Sequence, residues 1–201
     1  MDITVRIDGL KEFQAEMAAW PRETHIATSR AIRKTLKWVN TRIKRDAAKD
    51  LKVPQKALTG RLKISTVRNG ETSGKLWAGT WNISPFNIGN PVQGLSGVTG
   101  IRGRRYRGAF LAKIYTVRQN IWIRLHSKHY DPLLYPARSL RRIKKELPAE
   151  LRGRFPVVKV SIPIEPTMQS VFDRDEEEIQ NEFYKKLTHE LNYELRVKKS
   201  R

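Results

Sequence analysis

Five apolar residues, Ile32, Leu36, Val39, Ile43 and Ala47, follow one another at spacings of 4, 3, 4 and 4. That rhythm places all five on one stripe of an α-helix and fits no strand, because a strand repeats every two residues. The pattern predicts a long helix from Thr24 to Leu51. Much of its remainder is basic: Arg30, Arg33, Lys34, Lys37, Arg42, Lys44, Arg45 and Lys49. A second stripe of the same kind, Phe172, Ile179, Phe183, Leu187, Leu191 and Leu195, predicts a C-terminal helix over about Thr167–Leu195. Two helices with one apolar side each must bury those sides against each other or against a sheet.

The segments between them read as β-structure. Ile3, Val5 and Ile7 alternate with polar residues and predict a short strand, followed by helical spacing at Leu10, Phe13 and Met17 up to Pro21. Val53-Pro54 ends the first long helix, and Pro54 suits the first position of a short helix over Lys56–Lys63, which ends near Gly60 or runs into a strand at Ile64–Val67. Leu76–Ile83 reads as a strand, with Trp77 and Trp81 on one face as core. Ala109–Tyr115 and Asn120–Leu125 read as a hairpin, with Trp122 buried, as is Trp38 on the first helix. Ser84–Gly108 carries six Gly and two Pro and reads as a long loop. Leu140–Glu150 suits a basic helix and Val157–Ile162 a strand. The expected fold is α+β: long N- and C-terminal helices packed on a mainly antiparallel sheet, with a long basic Gly-rich loop. It forms a single domain divided into 1–68, 69–163 and 164–201.

Charge sets the partner classes. Forty Lys and Arg face twenty Asp and Glu, a net of 40 − 20 = +20. Residues 102–154 hold fifteen bases and three acids, and residues 171–195 hold eight acids and three bases. A body this basic attracts polyanions or acidic protein surfaces, and its acidic helix offers a match to a further copy of the chain. The candidate partner or DNA contacts are Arg102, Arg104, Arg105 and Arg107, which follow Gly94, Gly97, Gly100 and Gly103, together with Arg138, Arg141, Arg142, Lys144 and Lys145. Glycines let backbone amides approach an anion and Arg binds it bidentately, but no Gly-Lys-Ser/Thr completes a nucleotide loop. The acids Asp175, Glu176, Glu177 and Glu178 are the candidate subunit contact.

No catalytic set emerges. The chain has no Cys, which excludes thiolate chemistry and disulfides. His126, His129 and Asp131 lack the further ligands a zinc site needs, and His189-Glu190 has Tyr193 where a zinc-protease helix requires His. No cofactor and no metal are expected. The N-terminus lacks a signal-peptide pattern and no apolar run reaches the roughly 20 residues of a membrane span, so no membrane partner is expected.

The order of several segments resembles the phage minor tail protein Z family. Thr28-Ser29-Arg30-Ala31-Ile32-Arg33-Lys34-Thr35-Leu36 looks like its early helix. Val53-Pro54-Gln55-Lys56-Ala57-Leu58 with Arg61-Leu62-Lys63 looks like its next element, and Gly108-Ala109-Phe110-Leu111-Ala112 like its central strand entry. A Pro-containing stretch, Phe155-Pro156-Val157 through Pro163, precedes the last helix as in that family. The resemblance covers most of residues 1–195 and is weakest over Asp131–Arg154. It implies a structural tail-completion protein at the head-proximal end of a long phage tail, assembled in the host cytoplasm and needed for head–tail joining. Its implied form is a homo-hexameric ring around the DNA channel. Its implied partners are the tail terminator, tail tube proteins, head-completion or connector proteins and the phage DNA end. The alternative class is a stand-alone nucleic-acid-binding protein without sequence specificity.

Overall fold

A computed structural model describes residues 2–3, 21–65, 67, 73–114, 117–133, 135 and 156–197. The expected helix around Leu10–Met17, the far end of the first strand at Val5 and Ile7, and the basic helix at Leu140–Glu150 lie outside the described residues. The class is α+β, and the chain divides into two compact units. One comprises Met1–Asp50, Leu58–Thr80 and Thr167–Arg201; the other comprises Leu51–Ala57 and Trp81–Pro166. The first unit draws on both ends of the chain, so the two long helices belong to it together.

In the first unit, helix α1 runs from Pro21 to Asp50. Proline suits its start because its missing N–H has no intrahelical partner there. The predicted stripe is the buried one: Ile32, Leu36, Val39, Ile43 and Ala47 are all shielded, joined by Ala27, Ala31 and Ala48. Helix α2, Glu165–Asn192, continues into a wider π-turn at Tyr193–Val197. Its buried side is Met168, Val171, Phe172, Asp175, Ile179, Phe183, Leu187, Glu190 and then Glu194. Leu191 and Leu195, expected on that side, are only half-buried. The two helices run antiparallel, since the partners of Arg30, Lys34 and Arg42 are Glu194, Glu190 and Glu178, falling in number as the bases rise. A small antiparallel sheet completes the unit, in the order β1 (Asp2–Ile3), β3 (Leu76–Ala78), β2 (Leu62–Ile64). Strand β3 stops at Ala78, so Trp77 and Trp81 do not share a strand face. Trp77 is half-buried and Trp81 is 49% exposed.

The second unit holds two three-stranded antiparallel sheets. Strands β7 (Ala109–Ala112), β8 (Asn120–Arg124) and β9 (Val157–Lys159) form one, with β8 central. Asn120, Ile121, Trp122 and Ile123 are all buried, as a strand covered on both faces requires. The Trp122 indole N–H donates to the Ala112 carbonyl at 3.0 Å, which satisfies its buried polar atom.

The Ser84–Gly108 segment is not the long loop the sequence suggests. It contains the other sheet: β4 (Val92–Gly94), β5 (Gly97–Thr99) and β6 (Arg105–Arg107) in that spatial order. The strands have three residues each, too few for alternation to be visible in sequence. Val98 and Tyr106 bury their side chains in a core with Ala109, Ile121, Ile123, Tyr135, Val158 and Val160. At roughly 1.5–3 kcal/mol per large apolar side chain, these anchors are what hold so short a sheet.

Candidate functional site

The same register that buries Val98 and Tyr106 builds an exposed face on the other side of the small sheet. Gln93, Val98 and Tyr106 share one side, on which Val98 and Tyr106 are buried and Gln93 is exposed, and Val92, Thr99 and Arg105 form one row of the other side. Gly94, Gly97 and Arg107 form the next. Because side chains alternate along a strand, Arg105 and Arg107 project from the same side, about 7 Å apart. Both are exposed, and among the described residues no carboxylate pairs with either. Between them and Val92 the face carries only Thr99 and two glycines, so it is nearly flat. Val92 is 65% exposed, and Leu95 at the tip of the β4–β5 hairpin is fully so.

The hairpin is fixed by its glycines and by Gln93. Gly97 has φ of 141°, and a Cβ there would lie 2.2 Å from the Tyr106 carbonyl oxygen. The Gln93 side-chain oxygen accepts the Leu111 N–H at 2.8 Å, and its amide nitrogen donates to the Gly94 and Gly97 carbonyls at 3.0 and 3.2 Å. That ties β4 to β7, and among the described residues β6 pairs with β5 alone.

The four arginines singled out from the sequence separate by role. Arg105 and Arg107 share the exposed face. Arg102 is exposed on the turn between β5 and β6, in the left-handed region at φ 57°. Arg104 is half-buried, and its guanidinium donates to the Leu51 carbonyl. It therefore braces its own unit and is not free for an anion. Its Nε and the Tyr106 hydroxyl are both buried, and Arg104 acts on that hydroxyl through its charge and a side-chain hydrogen bond. Arg138, Arg141, Arg142, Lys144 and Lys145 lie outside the described residues.

Burial holds the Tyr106 phenol above its ordinary ionisation range, with the Arg104 charge opposing, and burial does the same for Tyr135, helped by Asp131. The unfolded chain therefore loses these protons first. The stability drawn from neutral Tyr106 and Tyr135 is whole below a pH of about 10 and is lost as pH rises through the folded values. Alkaline titration of phenolate absorbance is expected to show a late component that ionises together with unfolding and that Tyr106→Phe and Tyr135→Phe each diminish. A titration with no such late component would contradict this burial.

The acidic residues also separate. Asp175 is 3% exposed, with one carboxylate oxygen 3.5 Å from Arg42 Nε and the other 3.3 Å from Arg174 Nε. Glu178 receives both terminal nitrogens of Arg42, at 2.5 and 2.6 Å. These two acids are engaged within the chain: Asp175 is buried, and the half-exposed Glu178 shares Arg42 with Asp46 and Asp175. Glu176 and Glu177 point to solvent. Arg42 also pairs with Asp46 at 2.8 Å. Burial alone would raise the Asp46 pKa, but the hydrogen bonds and charges of Arg45 and Arg42 hold it below the usual carboxylate range.

Sequence reasoning missed Glu190 and Glu194, which are buried against α1. Arg30 pairs with Glu194 and lies 3.9 Å from Glu190, and Lys34 pairs with Glu190. The signal lay in two helices together, bases on one at the spacing of acids on the other. Trp38, expected in the core, is half-buried instead, with Arg42 and Lys186 at 5.6 and 5.7 Å from its ring centre. Its ring face is a favourable place for cations and remains partly wet.

Among the described residues no three His, Asp or Glu side chains converge as a metal site would require, and no helix is long and apolar enough to cross a membrane. The arrangement offers a flat, cationic, partly apolar surface suited to contact. No family model, no curated protein and no solved structure matches this chain.

Proposed function

We propose that this protein is a structural tail-completion component of a long-tailed phage, placed at the head-proximal end of the tail and required for head–tail joining. It works without catalysis, as a ring of copies around the DNA channel beside the tail terminator and connector. The observation that carries the contact role is the exposed pair Arg105 and Arg107 beside exposed Val92 and Leu95. Isolated surface charges need no explanation, but unneutralised arginines next to exposed apolar residues on a braced sheet have the make-up of an interface. The resemblance of Thr28–Leu36, Val53–Lys63 and Gly108–Ala112 to the minor tail protein Z family supplies the biological setting.

The test is complementation. A parent phage with an early stop in this gene is expected to leave full heads and normal-length tails unjoined, and purified protein should rejoin them. Arg105→Glu with Arg107→Glu should lower joined particles at least about tenfold, since like charges forced together at an interface cost several kcal/mol and 1.4 kcal/mol is a factor of ten. Arg104 is left unchanged, because its bond to Leu51 makes its reversal a test of folding. Normal joined particles from the stop mutant would sink the proposal.

The excess of +20 favours a second reading, a non-specific nucleic-acid binder. Its signature is DNA affinity that falls steeply with salt and is indifferent to tails, because counterion release dominates such binding.

A further inference from the structure

We propose that the Val92–Thr99–Arg105 face of the small sheet binds the outer side of helix α2 from a second copy of this chain. The inference rests on the homo-oligomer of the preceding reading, but the argument is one of chemistry and spacing.

The outer side of α2 is legible residue by residue. Asp173, Glu176, Glu177 and Tyr184 are exposed and Gln180 is half-exposed. At about 100° per residue, Asp173, Gln180 and Tyr184 fall on one line, with Glu176 and Glu177 splayed to either side of it. Asp173 accepts a bond from Gln169 on its own helix, and Glu176 and Glu177 carry no ion pair among the described residues. The acids thus lie at one end of the stripe, and an aromatic lies at the other.

The sheet face has the same layout in complement. Arg105 and Arg107 sit on β6, Thr99 and Gly97 on β5, and Val92 on β4 next to Leu95. Strands lie about 4.8 Å apart, so β6 and β4 are separated by about 10 Å. Glu177 and Tyr184 are seven residues apart, about 10.5 Å along a helix. A helix crossing the strands can therefore rest Glu176 and Glu177 on the two arginines while Tyr184 covers Val92 and Leu95. The splay of the two acids matches two arginines set about 7 Å apart along β6. Gly94 and Gly97 have no side chains to hold the helix away. The two surfaces differ, so the contact is head-to-tail, the kind that builds rings or filaments.

The chain contains no Cys, so introduced thiols report without background. Thr99→Cys marks the middle of the sheet face and Gln180→Cys the middle of the helix stripe, and neither removes a charge. Mixing the two purified variants under oxidising conditions should give a covalent dimer holding one of each, far above the yield from either alone. Adding Arg105→Glu and Arg107→Glu to the Thr99→Cys variant should abolish it. Adding Glu176→Arg and Glu177→Arg to the Gln180→Cys variant should then restore it, with unchanged far-UV circular dichroism throughout. Absence of the mixed dimer, or a yield indifferent to the reversals, overturns the contact. So does loss of DNA binding on arginine reversal in a protein that forms no mixed dimer, which would make the face a track for a polyanion. Because this assay uses purified protein and complementation uses particles, wild-type rejoining without a mixed dimer rejects this contact alone. A mixed dimer from a gene dispensable for joining rejects the tail reading alone.

Discussion

Arg30→Ala is expected to destabilise the helix pair by about 2–3 kcal/mol, far more than an exposed ion pair contributes. The reason is what it leaves behind. Glu194 is 1% exposed, and Arg30 is its ion-pair partner from α1. Removing the guanidinium takes a countercharge away from a carboxylate that has lost its water. The pair itself is not expected to be worth that much, because burying both charges had its own desolvation cost. Arg30 keeps about a third of its side chain exposed, which places the effect at the lower end for buried pairs. Arg30→Leu combined with Glu194→Leu should accordingly recover most of the loss. Urea midpoints at constant slope measure all three proteins. A loss of only a few tenths for Arg30→Ala would show that the other contacts of Glu194, the Lys34–Glu190 pair and the apolar stripe suffice to hold the helices. Failure of the double substitution to recover would assign Arg30 a packing role, through its guanidinium 5.8 Å from the Tyr193 ring centre.

That experiment concerns the place where periodicity ran out. The stripe of α1 is readable because each of its five positions is apolar, and all five are buried. On α2, Phe172, Ile179, Phe183 and Leu187 follow the same logic and are buried as well. Beyond Leu187 the buried side passes to Glu190 and Glu194, while Leu191 and Leu195 slip to its flank. A hydrophobic pattern scores those acids as solvent-facing. Their burial depends on cations that sit more than 150 residues away in the chain, on a helix running the other way. The basic Gly-rich segment was hidden for a different reason. Its strands are three residues long, only Val98 on β5 and Tyr106 on β6 point into the core, and no window that short shows a period. The arginines were visible as a cluster, but their roles were not. Only tertiary structure separates Arg104, which binds the Leu51 carbonyl, from Arg105 and Arg107, which face outward.

Gly97→Ala is expected to unfold the small sheet, at a cost of about 3 kcal/mol or more, while Gly103→Ala costs about 1. Both glycines have positive φ, 141° and 73°, so backbone strain alone does not separate them. Space does. A Cβ at Gly103 meets nothing within 4 Å, whereas at Gly97 it meets the Tyr106 carbonyl oxygen at 2.2 Å and the Arg107 Cα at 3.0 Å. Those are backbone atoms of the neighbouring strand and cannot rotate away. Relief requires β5 and β6 to separate, which breaks the Val98–Tyr106 register and pulls both side chains from the core. The loss should be local. Amide exchange is expected to accelerate across residues 92–107 in Gly97→Ala, while α1 and α2, in the other unit, keep wild-type protection. Arg105 and Arg107 would remain in the chain with their charges unchanged but would lose their common face. If Gly97→Ala still forms the mixed Thr99–Gln180 dimer, charge without a platform is sufficient and the geometry of the contact is wrong. If it loses the dimer while Gly103→Ala keeps it, recognition depends on the flat sheet as well as on its arginines.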